Sequence, residues 1–140
     1  MYNKRVMEEF INPQNVGIVK KSNAVGKVAN PACGDTMKLY LRINENGIIE
    51  DAGFKTLGCA AAIAASSITT QLVIGKSIQE SLQIRHTDIL DVLGGLPIEK
   101  IHCSLLAEEA IEASIEDYYK KLEKQKRQQE TIKSNAEETE

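Results

Sequence analysis

The chain has 140 residues, a net charge of -3 and 42% hydrophobic residues, which suits one domain with a buried core. The acidic balance and the lack of Trp argue against a nucleic-acid-binding face. No apolar run approaches the roughly 18 residues of a membrane span, and residues 1–10 lack the features of a signal or transit peptide. We therefore expect a soluble, cytoplasmic protein, or one of the mitochondrial matrix if a presequence has been removed.

The first half of the chain predicts a helix followed by antiparallel strands. Apolar residues at helical spacing predict a helix over residues 3–13. Glycine-punctuated residues 15–30 predict an edge strand and a turn. Strict alternation predicts a half-buried strand over residues 37–43, and the turn "NENG" leads into a second strand over residues 48–57. These two strands should form an antiparallel hairpin.

The second half predicts helices. Ala-rich residues 60–75 predict a largely buried helix, and Ser77 with Glu80 predicts a capping box for a short one. Residues 86–95 predict another short helix, and Ser104 is expected to cap a long C-terminal helix.

This order of elements predicts an α+β fold. We expect a small antiparallel sheet of about three strands, packed on one face by helices, with a long C-terminal helix. Residues 1–119 are predicted to form the domain. Residues 120–140 are mostly charged and amide residues, which predicts a charged helix end and a disordered tail.

The three cysteines lie at the ends of predicted elements. Cys33 lies in the loop before the hairpin, Cys59 lies between the hairpin and the Ala-rich helix, and Cys103 lies just before the long helix. A helix N-terminus stabilises a thiolate and should lower the pKa of Cys59 and Cys103. Three unrelated buried cysteines remain the alternative, but such residues have no reason to share this placement.

Two further candidate ligands lie beside the cysteines. Asp35 follows Cys33 by two residues, and His102 directly precedes Cys103. Zinc accepts this combination of ligands, as does an iron–sulfur cluster, and the spacing does not choose between them. Asp35 could instead be a turn residue before the strand, and His102 a solvent-facing loop residue. Three thiols with weaker neighbours indicate a cluster that is meant to leave.

The stretches "NPACGDTMKL", "FKTLGCAAAIAASS" and "LPIEKIHCSLLAEEAI" resemble the IscU-type iron–sulfur cluster assembly scaffolds, a family also found as the N-terminal domain of NifU. The resemblance implies that Cys33, Cys59 and Cys103 are cluster ligands. It implies that Asp35 and His102 share the fourth position or tune the lability of the cluster. Zinc is a further metal that such a site can carry as isolated.

The resemblance also implies a scaffold rather than an enzyme. A cysteine desulfurase would pass persulfide sulfur to a scaffold thiol, for which we favour Cys103 because it lies at a helix start beside His102. Iron would then enter, and the finished [2Fe-2S] cluster would pass to apo-proteins. A cluster that bridges two chains would imply a homodimer. In the family an Hsp70-type chaperone can recognise a Leu-Pro-Pro-Val-Lys loop, but Leu96–Lys100 here lacks the second proline.

Two alternatives to the scaffold use the same cysteines. One is a SufU-type, zinc-dependent sulfurtransferase, a group that carries an insertion between the second and third cysteine motifs and lacks the His before the last. This chain is short there and has His102, which favours the scaffold. The other is a structural zinc protein acting as an interaction module, which would need closed and fully buried ligands.

Overall fold

The computed structural model describes the backbone of residues 2–138 and the side chains of residues 2–132. Helix α1 spans Lys4–Ile11. Three strands follow, β1 at Ala24–Ala29, β2 at Thr36–Ile43 and β3 at Ile49–Leu57. Helices α2, α3 and α4 span Ala60–Val73, Ile78–Leu82 and His86–Leu93. A 3-10 turn at Ile98–Lys100 then leads into helix α5, His102–Glu138. The order confirms the predicted α+β class.

The three strands form one antiparallel sheet in the order β1-β2-β3. Alternate residues of β2, such as Leu39 and Leu41, are fully buried on the face that packs against α2 and α5. Helix α5 lies directly on β1 because Gly26 has no side chain, and a Cβ there would collide with the backbone of Ser114. This packing brings the N-terminus of α5 to the same edge of the sheet as the start of β2.

Helix α2 is buried along most of its length, as the Ala-rich sequence predicted. Its small side chains let α1, β3 and α5 approach closely. The buried hydroxyls are satisfied internally, since Ser66 and Thr69 each donate to a backbone carbonyl one turn earlier, at 2.7 Å. The predicted capping box of α3 is also present, with Ser77 and Glu80 bonded reciprocally.

Helix α5 begins at His102, two residues before the predicted cap. Ser104 lies inside the helix, where its hydroxyl donates to the Ile101 carbonyl at 2.6 Å. The prediction that Ser104 is the N-cap is therefore wrong, because the preceding 3-10 turn already directs the chain into the helix. As a consequence, His102 and Cys103 belong to the first turn of α5.

Helix α5 continues to Glu138, whereas the sequence predicted that a charged helix end would give way to a disordered tail within residues 120–140. Its residues 120–132 are mostly Lys, Glu, Gln and Arg, which favour helix, and their side chains are exposed. Residues 139–140 of the predicted tail lie outside the described residues, and the domain boundary at residue 119 stays a prediction. Within residues 2–138, no helix combines the length and apolar character needed to cross a bilayer.

Candidate metal centre

All five predicted ligands meet at one edge of the sheet. The loop before β2 carries Cys33 and Asp35, the N-cap of α2 is Cys59, and the first turn of α5 carries His102 and Cys103. Ligand atoms of Cys33, Asp35 and His102 lie within 4.8 Å of one another, as do those of Asp35, Cys59 and Cys103. The two triads share Asp35, so the structure brings together the whole set that the sequence singled out.

Four short contacts connect these side chains into a ligand ring, the name used below for Cys33, Asp35, Cys59, His102 and Cys103. Nε2 of His102 lies 3.5 Å from Sγ of Cys33 and 3.6 Å from Sγ of Cys103. Sγ of Cys59 lies 3.6 Å from Sγ of Cys103 and 3.7 Å from Oδ2 of Asp35. With metal–sulfur bonds of about 2.3 Å, ligand atoms on a tetrahedral ion lie roughly 3.5 to 3.8 Å apart. The ring therefore fits a thiophilic metal such as iron or zinc.

The three cysteines of the ligand ring differ in their exposure to solvent. Cys33 is exposed, Cys59 is half-buried, and Cys103 is 1% exposed. Burial, and next the neighbouring Cys59 thiol, raise the pKa of Cys103 to about 12. The expectation that the helix start lowers this pKa is therefore wrong for the metal-free protein, because loss of hydration outweighs the helix dipole. Metal binding must displace the proton of Cys103.

Asn30 organises the loop that holds Cys33 and Asp35. Its side-chain carbonyl accepts hydrogen bonds from the backbone N–H groups of Ala32 at 2.9 Å and Cys33 at 3.4 Å. Its own N–H donates to the Asp35 carbonyl at 2.9 Å, while Gly34 supplies a φ of +78°. Asn30 was not among the predicted site residues, although an Asn before Pro is a known turn signal.

Tyr2 and Lys100 also approach the thiols, and neither was predicted as a site residue. Tyr2 packs, together with Cys59, against the small buried cluster of Ala61, Ala62 and Cys103. Partial burial and then the negative charge of Cys59 raise the pKa of Tyr2. The same Cys59 charge is the main cause of the raised pKa of Lys100. The one sequence signal for such a role is the position of Lys100, two residues before His102.

Comparison with known proteins shows a match to the NifU-like N terminal domain family over residues 1–125. The chain belongs to this family. Among relatives of this NifU-like domain is the iron-sulfur cluster assembly scaffold protein IscU of Buchnera aphidicola from Acyrthosiphon pisum. It is 53% identical over 123 residues, which cover 86% of this chain and 96% of the relative. IscU of Escherichia coli K12 is 50% identical over 125 residues, covering 87% and 97%.

Solved structures agree with the fold of this NifU-like domain. A nitrogen-fixing NifU-like protein (N-terminal) from Brucella abortus superposes with a TM-score of 0.71 at 23% identity, covering 85% of this chain and 94% of that one. FiSufU of thermophilic Fervidobacterium islandicum gives a TM-score of 0.68 at 22% identity, covering 81% and 95%. At this identity the structures support the architecture alone. The resemblance to IscU-type scaffolds is confirmed by the family match and by the curated relatives.

Proposed function

We propose that this protein is a scaffold on which a [2Fe-2S] cluster is assembled and from which it passes to apo-proteins. The observation that carries the proposal is the ligand ring, in which two triads at metal-ligand spacing share Asp35 and together hold all three thiols, with an exposed Cys33 at the rim. The membership in a family whose relatives are named assembly scaffold proteins supports it. The cluster is then cargo, and the protein is a scaffold rather than an enzyme.

The ligand ring offers one donor more than a cluster needs. A [2Fe-2S] cluster takes four protein ligands, two on each iron. We assign the three cysteines as ligands, and His102 and Asp35 share the fourth position. Asp35 belongs to both triads, and its carboxylate oxygen is a harder, weaker ligand for iron–sulfur centres than a thiolate. Exchange between two ligands would make the cluster easier to release.

Sulfur would arrive from a cysteine desulfurase that carries a persulfide. A scaffold thiolate attacks the outer sulfur, the old S–S bond breaks, and the desulfurase thiolate leaves. We propose Cys103 as the receiver, and Nε2 of His102, 3.6 Å from its Sγ, is placed to accept the thiol proton. Because Cys103 is buried, docking of the desulfurase must open the site. Electrons from ferrous iron and an external one-electron donor then reduce the sulfur to sulfide.

Release of the cluster is a ligand exchange without net oxidation or reduction. Each bond from iron to a scaffold ligand is replaced by a bond from iron to an acceptor thiolate, and both irons and both sulfides move together. Protons lost by the acceptor thiols are taken up by the freed scaffold ligands. An Hsp70-type chaperone at Leu96–Lys100 is a further proposed partner in this step, and Ile98 in this loop is 87% exposed.

A zinc-bound form is also compatible with the ligand ring, because neighbouring ligand atoms, such as the two Sγ atoms of Cys59 and Cys103 at 3.6 Å, are spaced as on a tetrahedral ion. That fit alone does not favour a SufU-like sulfurtransferase. The relatives at about half identity are IscU proteins, whereas the FiSufU structure is 22% identical. A closed structural zinc site is also disfavoured, since Cys33 is exposed.

The test is anaerobic reconstitution of the chelated protein with ferrous iron, cysteine and a cysteine desulfurase. Equal amounts of iron and acid-labile sulfide, with sulfide-to-iron charge-transfer bands, are expected. The matched variants Cys33→Ser, Cys59→Ser and Cys103→Ser should lose most of the bound cluster. A protein that rebinds zinc but takes up no iron and sulfide would contradict the proposal.

A further inference from the structure

Three lysines form a row across the face of the sheet opposite the core. Lys27 on β1 pairs with Lys38 on β2, and Lys38 pairs with Lys55 on β3. Adjacent strands are only about 4.8 Å apart, and like charges directly opposite each other destabilise a sheet. We call these three residues the lysine row. Its charges do not stabilise the sheet, which leaves them available to bind another molecule.

The positive charge of the lysine row has no neutralising partner among the described side chains. Among the side chains of residues 2–132, no carboxylate forms an ion pair with any of the three lysines. Lys27 and Lys55 are exposed. The ammonium of Lys38 lies 5.4 Å from the centre of the Tyr40 ring, a contact that holds the charge in place without cancelling it.

The lysine row lies next to the metal centre. Lys38 follows Asp35 by three residues and Lys55 precedes Cys59 by four, so at about 3.3 Å per residue the row is roughly 10 Å from the ligand ring. Between them lies Leu57, on the same face as Lys55 and 75% exposed. A protein that covers the lysine row and Leu57 would therefore reach the edge of the sheet that carries the ligands.

We propose that the lysine row is the docking surface for the apo-protein that receives the cluster, and that this acceptor presents a patch of carboxylates. The proposal rests on the proposed scaffold function. Opposite charges would steer encounter and set the orientation of the acceptor. Leu57 supplies the apolar contact found in the centre of protein interfaces. Residues 1–119 carry more carboxylates than cationic groups, so the domain as a whole repels an extended polyanion such as nucleic acid.

The test compares two double variants with the same change in charge. Lys27→Glu with Lys55→Glu reverses the charge at both ends of the lysine row and leaves the contact between Lys38 and the Tyr40 ring intact. The control, Lys76→Glu with Lys124→Glu, changes two exposed lysines outside the lysine row, one in the loop before α3 and one on α5. Cluster content is measured first. Circular dichroism then follows transfer to an acidic apo-ferredoxin that binds a [2Fe-2S] cluster, at low and high salt.

We expect full cluster loading in both variants. For the lysine-row variant we expect transfer slower by about tenfold or more at low ionic strength, with the difference nearly gone at about 0.5 M salt. Transfer by the control should stay within about twofold of wild type. A wild-type rate for the lysine-row variant at low salt, or an equal loss in the control, would overturn the docking proposal.

Two further outcomes are distinguishable. If the wild-type protein binds a labelled oligonucleotide and the lysine-row variant does not, the surface is a nucleic-acid site and the docking proposal is wrong. If wild type takes up no cluster, the scaffold function fails on its own. In that case calorimetry of the metal-free chain with the apo-ferredoxin still tests the docking proposal. Binding that is lost only in the lysine-row variant supports the proposal, and unchanged binding in that variant excludes it.

Discussion

Gly58 and Asp35 lie so close together that a Cβ on Gly58 would be 2.9 Å from the carboxylate carbon of Asp35. Gly58 directly precedes Cys59, whose Sγ lies 3.7 Å from Oδ2 of the same carboxylate. The missing side chain therefore allows the acid to sit beside the thiol. Gly58 is therefore part of the geometry of the ligand ring, although it carries no ligand atom itself.

We expect Gly58→Ala to weaken metal binding by about tenfold, because the added methyl group must displace the Asp35 carboxylate. The measurement is a zinc titration of the metal-free protein in competition with a chromophoric chelator. In an Asp35→Ala background the same substitution should have little further effect. An equal loss in that background would instead assign the effect to Ala62, whose Cβ would be 3.1 Å from the new methyl group.

If Asp35 keeps the cluster exchangeable, Asp35→Ala should slow transfer of a loaded cluster to an apo-ferredoxin. The physical reason is that the variant loses the weak oxygen ligand that both triads share. Stopped-flow or circular dichroism measurements give the rate. Asp91→Ala, which removes an exposed carboxylate on α4, is the matched control. A faster or unaltered rate for Asp35→Ala would remove this role.

Alkylation should distinguish the thiols of the metal-free protein. At neutral pH we expect Cys33 to react with iodoacetamide about tenfold or more faster than Cys103, because Cys103 is buried and its pKa is raised to about 12. Mass spectrometry of the digested protein reads each site separately. Similar rates at the two cysteines would show that the site opens readily without a partner.

Persulfide transfer should follow a different order, because docking of the desulfurase opens the site. We expect Cys103→Ser to abolish sulfur labelling and Cys33→Ser to retain most of it. Intact-mass measurement after a single turnover of the desulfurase gives the added sulfur. Labelling that survives in Cys103→Ser but is lost in Cys33→Ser would make Cys33 the receiver.

The metal-free protein should lose stability at alkaline pH through Cys103. Folding raises the pKa of this thiol from 9.0 to about 12, so its contribution is complete below about pH 9, where both states are neutral. Between these values the unfolded chain ionises first, and the contribution is lost as pH rises. Urea unfolding at several pH values measures this, and Cys103→Ala should show a shallower decline. Parallel curves for the two proteins would contradict the assignment.

Local patterns in the sequence were enough to predict most elements of the fold. The alternation of β2, the alanines of α2 and the capping box of α3 each depend on neighbours a few residues apart. Reliance on local preference also put the start of α5 at the wrong residue. A serine after "IHC" is a good cap by preference, but the 3-10 turn before it and the bond from Ser104 to Ile101 decide where the helix begins.

The sequence by itself was enough to predict the five candidate ligands, since each cysteine lies where a predicted element begins or ends, and Asp35 and His102 are their neighbours. Only the tertiary structure decided how those ligands meet. The packing of α2 and α5 on one face of the sheet sets the distances within the ligand ring, buries Cys103 and brings Tyr2 to the cluster that contains it. Strand register likewise places Lys27, Lys38 and Lys55 in one row. Burial and register depend on residues far apart in the chain, so no local pattern could reveal the raised pKa of Cys103 or the lysine row.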